Sequence, residues 1–268
     1  MNRKPIDANE SKKIMVEVLK VVHDYCCANN LKYSLYAGTL IGAVRHNGFI
    51  PWDDDIDIVM PRNDYEYFIK HFKAKNYDII TPYNSNEYYL PWAKVYDNRT
   101  IKIEPVNLKS EFLFGIDIDV FPVDYVDSFE SFETVQRLKH KYDRKRNIAL
   151  SNISWCNPFK NPRYFLIVLY RKLFYVQKQS YFARKIDKCY KRFNKRPHKF
   201  LMVNSLFSKR PPFNVDLFNN LELHKFENYC FFIFRDYDYF LRLIFGDYTL
   251  LPPVNEQVTH HTNQQFYK

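Results

Sequence analysis

Residues 51–60 read Pro51-Trp-Asp-Asp-Asp-Ile-Asp-Ile-Val-Met60, and this alternation of acidic and apolar residues decides how the rest of the chain is read. In a strand, successive side chains point to opposite faces, so Asp53, Asp55 and Asp57 share one face and Asp54, Ile56 and Ile58 the other. Three carboxylates on one face repel one another, while Ile56, Ile58 and Val59 anchor the stretch in a core. A cation relieves the repulsion, and hard oxygen donors favour Mg²⁺ or Mn²⁺. The bland alternative is an exposed acidic turn. A second stretch, Gly115-Ile-Asp-Ile-Asp-Val-Phe-Pro122, repeats the pattern: Asp117 and Asp119 share one face, Ile116, Ile118 and Val120 the other. Paired beside the first strand, it would supply a third carboxylate. Such sets hold divalent ions about 3.5–4 Å apart in phosphoryl-transfer sites.

Glycine occurs only five times in 268 residues, yet Gly38, Gly42 and Gly48 fall within eleven residues just upstream. A chain so poor in glycine is expected to place it where a side chain would obstruct the backbone or a ligand. Ala37-Gly38-Thr39 opens a predicted helix over 38–46 that Asn47-Gly48 closes in a left-handed turn. The start of that helix offers free amides to a phosphate, and Thr39 adds a hydroxyl.

Working outward, Ile14, Val18, Val21, Val22 and Tyr25 recur at helical spacing and predict a helix over 8–28. Strands are predicted at 32–36, 53–60, 77–81, 90–96, 100–104 and 115–121, with a helix from Pro61 to about Lys75. Residues 128–196 read as helical, basic and aromatic. Leu221–Phe226 and Tyr229–Phe234 read as a hairpin, and 237–245 as a helix that Gly246 ends. The expected fold class is α+β, a mixed sheet flanked by helices. The expected organisation is a catalytic core over 1–130, a basic helical region over 131–200, and a C-terminal segment over 201–268 that packs back on the core.

A hydrophobic fraction of 46% and 49 aromatic residues exclude disordered and fibrous classes. The longest apolar run, 164–170, is far short of the ~20 residues that span a bilayer. No secretory leader is expected from the polar N-terminus, and Cys26, Cys27, Cys156, Cys189 and Cys230 form no CxxC pair. Reduced thiols in a cytoplasmic protein are therefore expected, without structural zinc. The net charge of +10 is uneven: residues 137–199 hold nineteen Lys and Arg against two acids, Asp143 and Asp187. Such a segment attracts anionic lipid, nucleic acid or a phosphorylated glycan, unless it is simply a solvated helical face. Within it, Tyr164–Val176 reads either as a helix lying on a membrane surface or as a buried helix.

The stretch from Tyr36 to Arg62 closely resembles the signature of the LicD family, phosphotransferases of the nucleotidyltransferase fold with fukutin and the fukutin-related protein as distant relatives. Ala93-Lys94-Val95-Tyr96-Asp97 with Arg99-Thr100 is similar to the family's lysine-bearing strand, and Ile118-Asp119-Val120-Phe121-Pro122 to its second acidic strand. Tyr237-Asp238-Tyr239-Phe240-Leu241, Phe245-Gly-Asp-Tyr248, Leu251-Pro-Pro253 and His260 resemble its C-terminal signature. The resemblance covers 10–125 and 220–262, and the basic region between matches only in character.

The resemblance implies transfer of a phospho-substituent, above all phosphocholine from CDP-choline, onto a hydroxyl of a cell-surface glycan such as lipopolysaccharide, teichoic acid or capsule, or a lipid-linked precursor. It carries over Asp55, Asp57 and Asp119 as catalytic metal ligands for Mg²⁺ or Mn²⁺. The donor diphosphate is expected across Gly38 and Thr39, with Arg45 and Lys94 as candidate phosphate contacts. Arg45 equally suits a charge at a helix C-terminus. Asp53, Asp117 and His260 are further candidates. Asp117 stands where the family pattern is usually apolar or aromatic, so either it or Asp119 faces the metal, and Asp119 lies in the motif. Tyr36, Trp52 and Trp92 could cage a quaternary ammonium, and His46 reads as structural. The competing readings are ribitol, glycerol or ethanolamine phosphate transfer from another CDP-alcohol, nucleotidyl transfer of NMP to a small acceptor, and a non-enzymatic membrane- or nucleic-acid-binding protein. Expected partners are a CDP-alcohol and a glycan acceptor at the inner face of the cell membrane, with no nucleic acid.

Overall fold

The chain is described here from a computed structural model covering residues 3–103, 114–150, 159–175, 179–194, 198–206, 210–259 and 264–268. Helix α1 (Ala8–Ala28) starts at Asp7, whose carboxylate accepts the Glu10 amide at 2.8 Å and so satisfies one of the helix's unpaired donors. Its stripe of Met15, Val18, Leu19, Val22 and Cys26 is buried. There follow strand β1 (Ser34–Leu35), helix α2 (Ala37–His46), β2 (Asp57–Pro61), α3 (Arg62–His71), β3 (Tyr77–Ile80), β4 (Ala93–Asp97), β5 (Thr100–Ile103) and β6 (Asp117–Val126). The basic region forms α4 (Phe129–Leu150), α5 (Pro162–Tyr175) and α6 (Gln179–Tyr190). The remainder comprises β7 (Phe200–Val203), β8 (Phe213–Asn214), the hairpin β9 (Leu221–Phe226) and β10 (Tyr229–Phe234), helix α7 (Tyr237–Phe245) and β11 (Gln264–Tyr267).

The main sheet runs β1-β2-β6-β4-β3, with β7 paired to the far half of β6 and β8 to β7. β2 and β6 are parallel, and every other pairing within this sheet is antiparallel. β6 is the central strand. Its Ile118, Val120, Phe121, Val123 and Val126 are buried, as a strand hydrogen-bonded on both sides requires. The hairpin lays Phe226, Phe231, Ile233 and Phe234 into the same core as α1 and α2. Helices α4 and α6 share a smaller core with the far end of β6, through Val126, Phe132, Val135, Ile186, Tyr190 and Met202. The fold is α+β.

Several elements differ from the sequence reading at their edges. β2 begins at Asp57 rather than Asp53, because the Asp53 amide turns back to the Ile50 carbonyl at 2.9 Å and Asp53–Ile56 approach the sheet irregularly. The alternation of Asp53, Asp55 and Asp57 on one strand face is therefore corrected: only Asp57 belongs to the strand. Helix α3 ends at His71, ahead of Asn76 at φ 69°, and β4 begins at Ala93. Gly42 is needed for packing. A Cβ there would lie 2.4 Å from the Gly48 carbonyl oxygen, so helix α2 can pass its own exit loop only without a side chain.

Sequence reading overlooked a buried ion network. Arg62, at the start of α3, donates to Asp124 of β6 at 2.7 and 2.5 Å and pairs with Asp187 of α6 at 2.9 Å. Tyr83 and Asn204 donate to the Asp187 carboxylate at 2.5 and 2.9 Å, and Lys191 pairs with it at 3.0 Å. Removing one partner of a buried pair strands the others, at about 3–5 kcal/mol. Arg62→Met is therefore expected to lower stability by about 3–5 kcal/mol in urea unfolding, whereas Glu66→Ala, which takes away a partly exposed carboxylate 3.3 Å from Arg62 and 2.5 Å from Lys191, costs less than about 1 kcal/mol. Equal losses would contradict this assignment.

Candidate active site

Asp57 is held by its backbone from two sides. Its carbonyl accepts the Tyr36 amide at 2.9 Å, and its own amide donates to the Thr39 hydroxyl at 2.9 Å. On the other edge, the Asp119 amide donates to the Ile56 carbonyl at 2.8 Å. Thr39 is buried, so this bond ties the first turn of α2 to the start of β2. Thr39 thereby acts first as a positioning residue for Asp57.

The parallel register sets Asp57 opposite Asp119, and the antiparallel register on the far side sets Lys94 opposite Asp119. Register partners project to the same face, so three charged groups form a row across β2, β6 and β4. The Lys94 ammonium bridges Asp117 at 2.5 Å and Asp119 at 2.9 Å. Asp119 also accepts the Trp92 indole N–H at 2.7 Å, and Lys102 of β5 reaches Asp117 at 2.8 Å. Asp117 is thus enclosed by two ammonium groups. Burial alone would raise its carboxyl, but Lys102 and Lys94 outweigh burial and hold it below the usual carboxylate range.

The carboxylates toward β2 behave in the opposite way. Burial, with the neighbouring charges of Asp55, Asp119 and Asp53, drives Asp57 well above its ordinary value. Burial and Asp55, which also shares a hydrogen bond with it, push Asp53 up to about 7. Burial raises Asp119 despite Lys94. These are desolvated like charges with too little countercharge. They do not form a closed cage: among the described residues no group of three acidic, thiol or imidazole side chains is arranged to hold an ion by itself.

The Asp53 carboxylate lies over the first turn of α2. A Cβ on Gly38 would come within 2.5 Å of its Oδ2, so glycine makes room for an acidic group at the helix N-terminus. Tyr36, buried beside Phe121, accepts the Arg210 guanidinium N–H at 2.7 Å, and Arg210 also stacks over Phe245. Burial pushes the Tyr36 hydroxyl up to about 12 against the pull of Arg210. Arg210 stands outside every motif and was missed by sequence reading; only contact across 174 residues reveals it.

The remaining expected cations and rings are each engaged within the fold. Arg45 donates to the Tyr248 and Leu250 carbonyls at 2.7 and 3.3 Å and to His46 at 3.0 Å, so it ties the end of α2 to the C-terminal segment. Lys94, expected at a phosphate, is engaged by two carboxylates. Trp92 packs on Phe121 while donating to Asp119, and Trp52 is partly buried against the core. His260 lies outside the described residues.

The family model described as LicD/FKTN/FKRP, nucleotidyltransferase domain, matches residues 30–160, which include the whole row. The chain is similar to the lipopolysaccharide cholinephosphotransferase LicD of Haemophilus influenzae, 28% identical over 275 residues that span 98% of this chain and 99% of that protein. Shorter matches link it to uncharacterized proteins of Rickettsia typhi (40% over 68 residues; 24% of this chain, 22% of that protein) and Rickettsia prowazekii (46% over 50; 19% of each). The match over residues 30–160 and the likeness along nearly the full length of the Haemophilus protein support membership of the LicD family.

The role given to Thr39 is directly testable. Thr39→Val leaves the Asp57 amide buried without its acceptor and is expected to cost about 1–3 kcal/mol, whereas Thr39→Ser keeps the hydroxyl and costs less than about 1 kcal/mol. Thermal unfolding of the two variants distinguishes them, and similar losses would contradict the clamp.

Proposed function

We propose that the protein transfers a phospho-alcohol group, phosphocholine from CDP-choline, onto a hydroxyl of a cell-surface glycan such as lipopolysaccharide or its lipid-linked precursor, releasing CMP. The observation that carries this reading is the register row of Asp57, Asp119 and Lys94 with its surplus of buried negative charge. The choice of donor and acceptor rests on the name of the Haemophilus relative.

The donor set suits Mg²⁺ or Mn²⁺. Two carboxylates, Asp55 and Asp57, offer hard oxygens, with Asp119 in register beside Asp57, and an ion there would complete its shell with water and substrate phosphates. Bound there, the ion would neutralise the carboxylates and the donor diphosphate together. The donor diphosphate would lie near the start of α2, where Gly38 leaves room beside the Asp53 carboxylate. Asp119, raised by burial, is suited to accept the proton of the acceptor hydroxyl. That hydroxyl oxygen forms a bond to the phosphorus bearing choline, the phosphorus–oxygen bond to CMP breaks, and CMP leaves with the bridging oxygen. Lys94 keeps Asp119 and Asp117 in place, and Tyr36 with Arg210 supports the backbone that carries Asp57. A cytoplasmic setting at the inner face of the membrane belongs to the same proposal.

The test incubates the protein with Mg²⁺, CDP-choline and lipopolysaccharide, measuring CMP by chromatography and phosphocholine on the glycan by mass spectrometry. The two should appear in equal amounts, and Asp119→Asn should lower kcat about 10²–10⁴-fold with the fold retained. Release of pyrophosphate would replace this reading with nucleotidyl transfer. Preference for CDP-ribitol or another CDP-alcohol would overturn the choice of donor alone.

A further inference from the structure

Helix α5 is apolar on two sides. One side buries Val168 fully as the helix packs against α4. The other side carries Leu166, Ile167, Tyr170, Leu173 and Phe174, which follow helical spacing and fall within one arc. All five face solvent, Leu166 at 62%, Leu173 at 66% and Phe174 at 54%. A continuous aliphatic and aromatic strip of this kind is rare on a surface that meets only water.

The strip runs into a groove of about 600 Å³ lined by Lys145, Tyr170, Phe174, Tyr181 and Lys185, so two ammonium groups stand beside the exposed rings. Arg163 and Lys160 are exposed at the start of the helix. The surrounding segment holds nineteen Lys and Arg against Asp143 and Asp187. Neither acid offsets that charge outward: Asp187 is buried with Arg62 and Lys191, and Asp143 pairs with Arg146 at 2.9 Å.

We propose that α5 and its lysine groove dock the protein on an anionic bilayer, the apolar strip entering the acyl boundary and Lys145 and Lys185 meeting lipid phosphates. Charge complementarity selects this occupant. A second copy would bring two strongly basic faces together, and a nucleic acid would leave Leu166, Ile167 and Leu173 exposed. Among the described residues no helix is long and apolar enough to cross a membrane, so the contact lies in the interface plane. The surface shares no residue with the carboxylate row, so it stands or falls separately from the proposed chemistry.

The test is flotation of the full chain with phosphatidylcholine vesicles, with and without phosphatidylglycerol. Binding is expected only with phosphatidylglycerol and should weaken as salt shortens the range of the charges. Leu166→Glu/Leu173→Glu, at exposed positions that leave the fold intact by circular dichroism, should reduce binding about tenfold or more, and Lys145→Ala/Lys185→Ala should do so chiefly on anionic vesicles. Turnover with a soluble glycan acceptor should be unchanged in both. Failure to float with anionic vesicles at low salt, or undiminished flotation of the Leu166→Glu/Leu173→Glu variant, would overturn the proposal. A dimer in light scattering that this variant dissolves would assign the strip to a second copy instead.

Discussion

The parallel pairing of β2 with β6 is the contact on which the site depends, because it forces Asp57 and Asp119 to the same face of adjacent strands. Two buried carboxylates so placed repel each other strongly in a medium far less polar than water. The fold tolerates them by surrounding them unevenly. Lys94 and Lys102 saturate Asp117, Lys94 and Trp92 restrain Asp119, and little reaches Asp57, Asp55 or Asp53.

A comparison within the molecule shows how unusual this is. Around Arg62, three acids and two cations interlock: Asp124, Asp187 and Glu66 with Arg62 and Lys191, with Tyr83, Asn194 and Asn204 adding donors. That network is closed, and it joins α3, β6 and α6. The carboxylate row is open, with Asp53, Asp55, Asp57, Asp117 and Asp119 against Lys94 and Lys102. A closed network holds structure together, while an open one on a scaffold as firmly hydrogen-bonded as β2 has capacity left for a ligand.

Much of this was legible in the residues themselves. Helix α1, the β9–β10 hairpin and α7 follow periodicity and turn chemistry to the residue, because each is built from local contacts. The second acidic strand was legible for the same reason, whereas the first is strand only from Asp57 onward. What local sequence could not convey was pairing between distant segments. The backbone clamp from Tyr36 and Thr39 fixes Asp57 at the start of β2, while the turn from Asp53 back to Ile50 keeps Asp53 out of the strand. The row that places Lys94 opposite Asp119 depends on the order β2-β6-β4, which no spacing encodes. The buried bonds of Arg62 to Asp124 and of Arg210 to Tyr36 were invisible for that reason too, since they join residues 62 and 174 positions apart. Lys94 and Arg45 look alike as isolated cations in sequence, yet one serves carboxylates and the other serves carbonyls.

The proposed divalent cation would displace protons that burial and neighbouring carboxylates hold on Asp53 and Asp57. Without metal, a carboxyl raised from its ordinary value to about 7 binds more protons folded than unfolded, so that contribution to stability is lost as pH rises through about 7. A divalent cation should restore it where the protons have gone. The decisive measurement is the unfolding temperature with and without Mg²⁺ at about pH 5.5 and about pH 8. A larger Mg²⁺ stabilisation is expected at the higher pH, abolished in Asp55→Asn/Asp57→Asn. An increase of equal size at both, or none at either, would contradict this expectation.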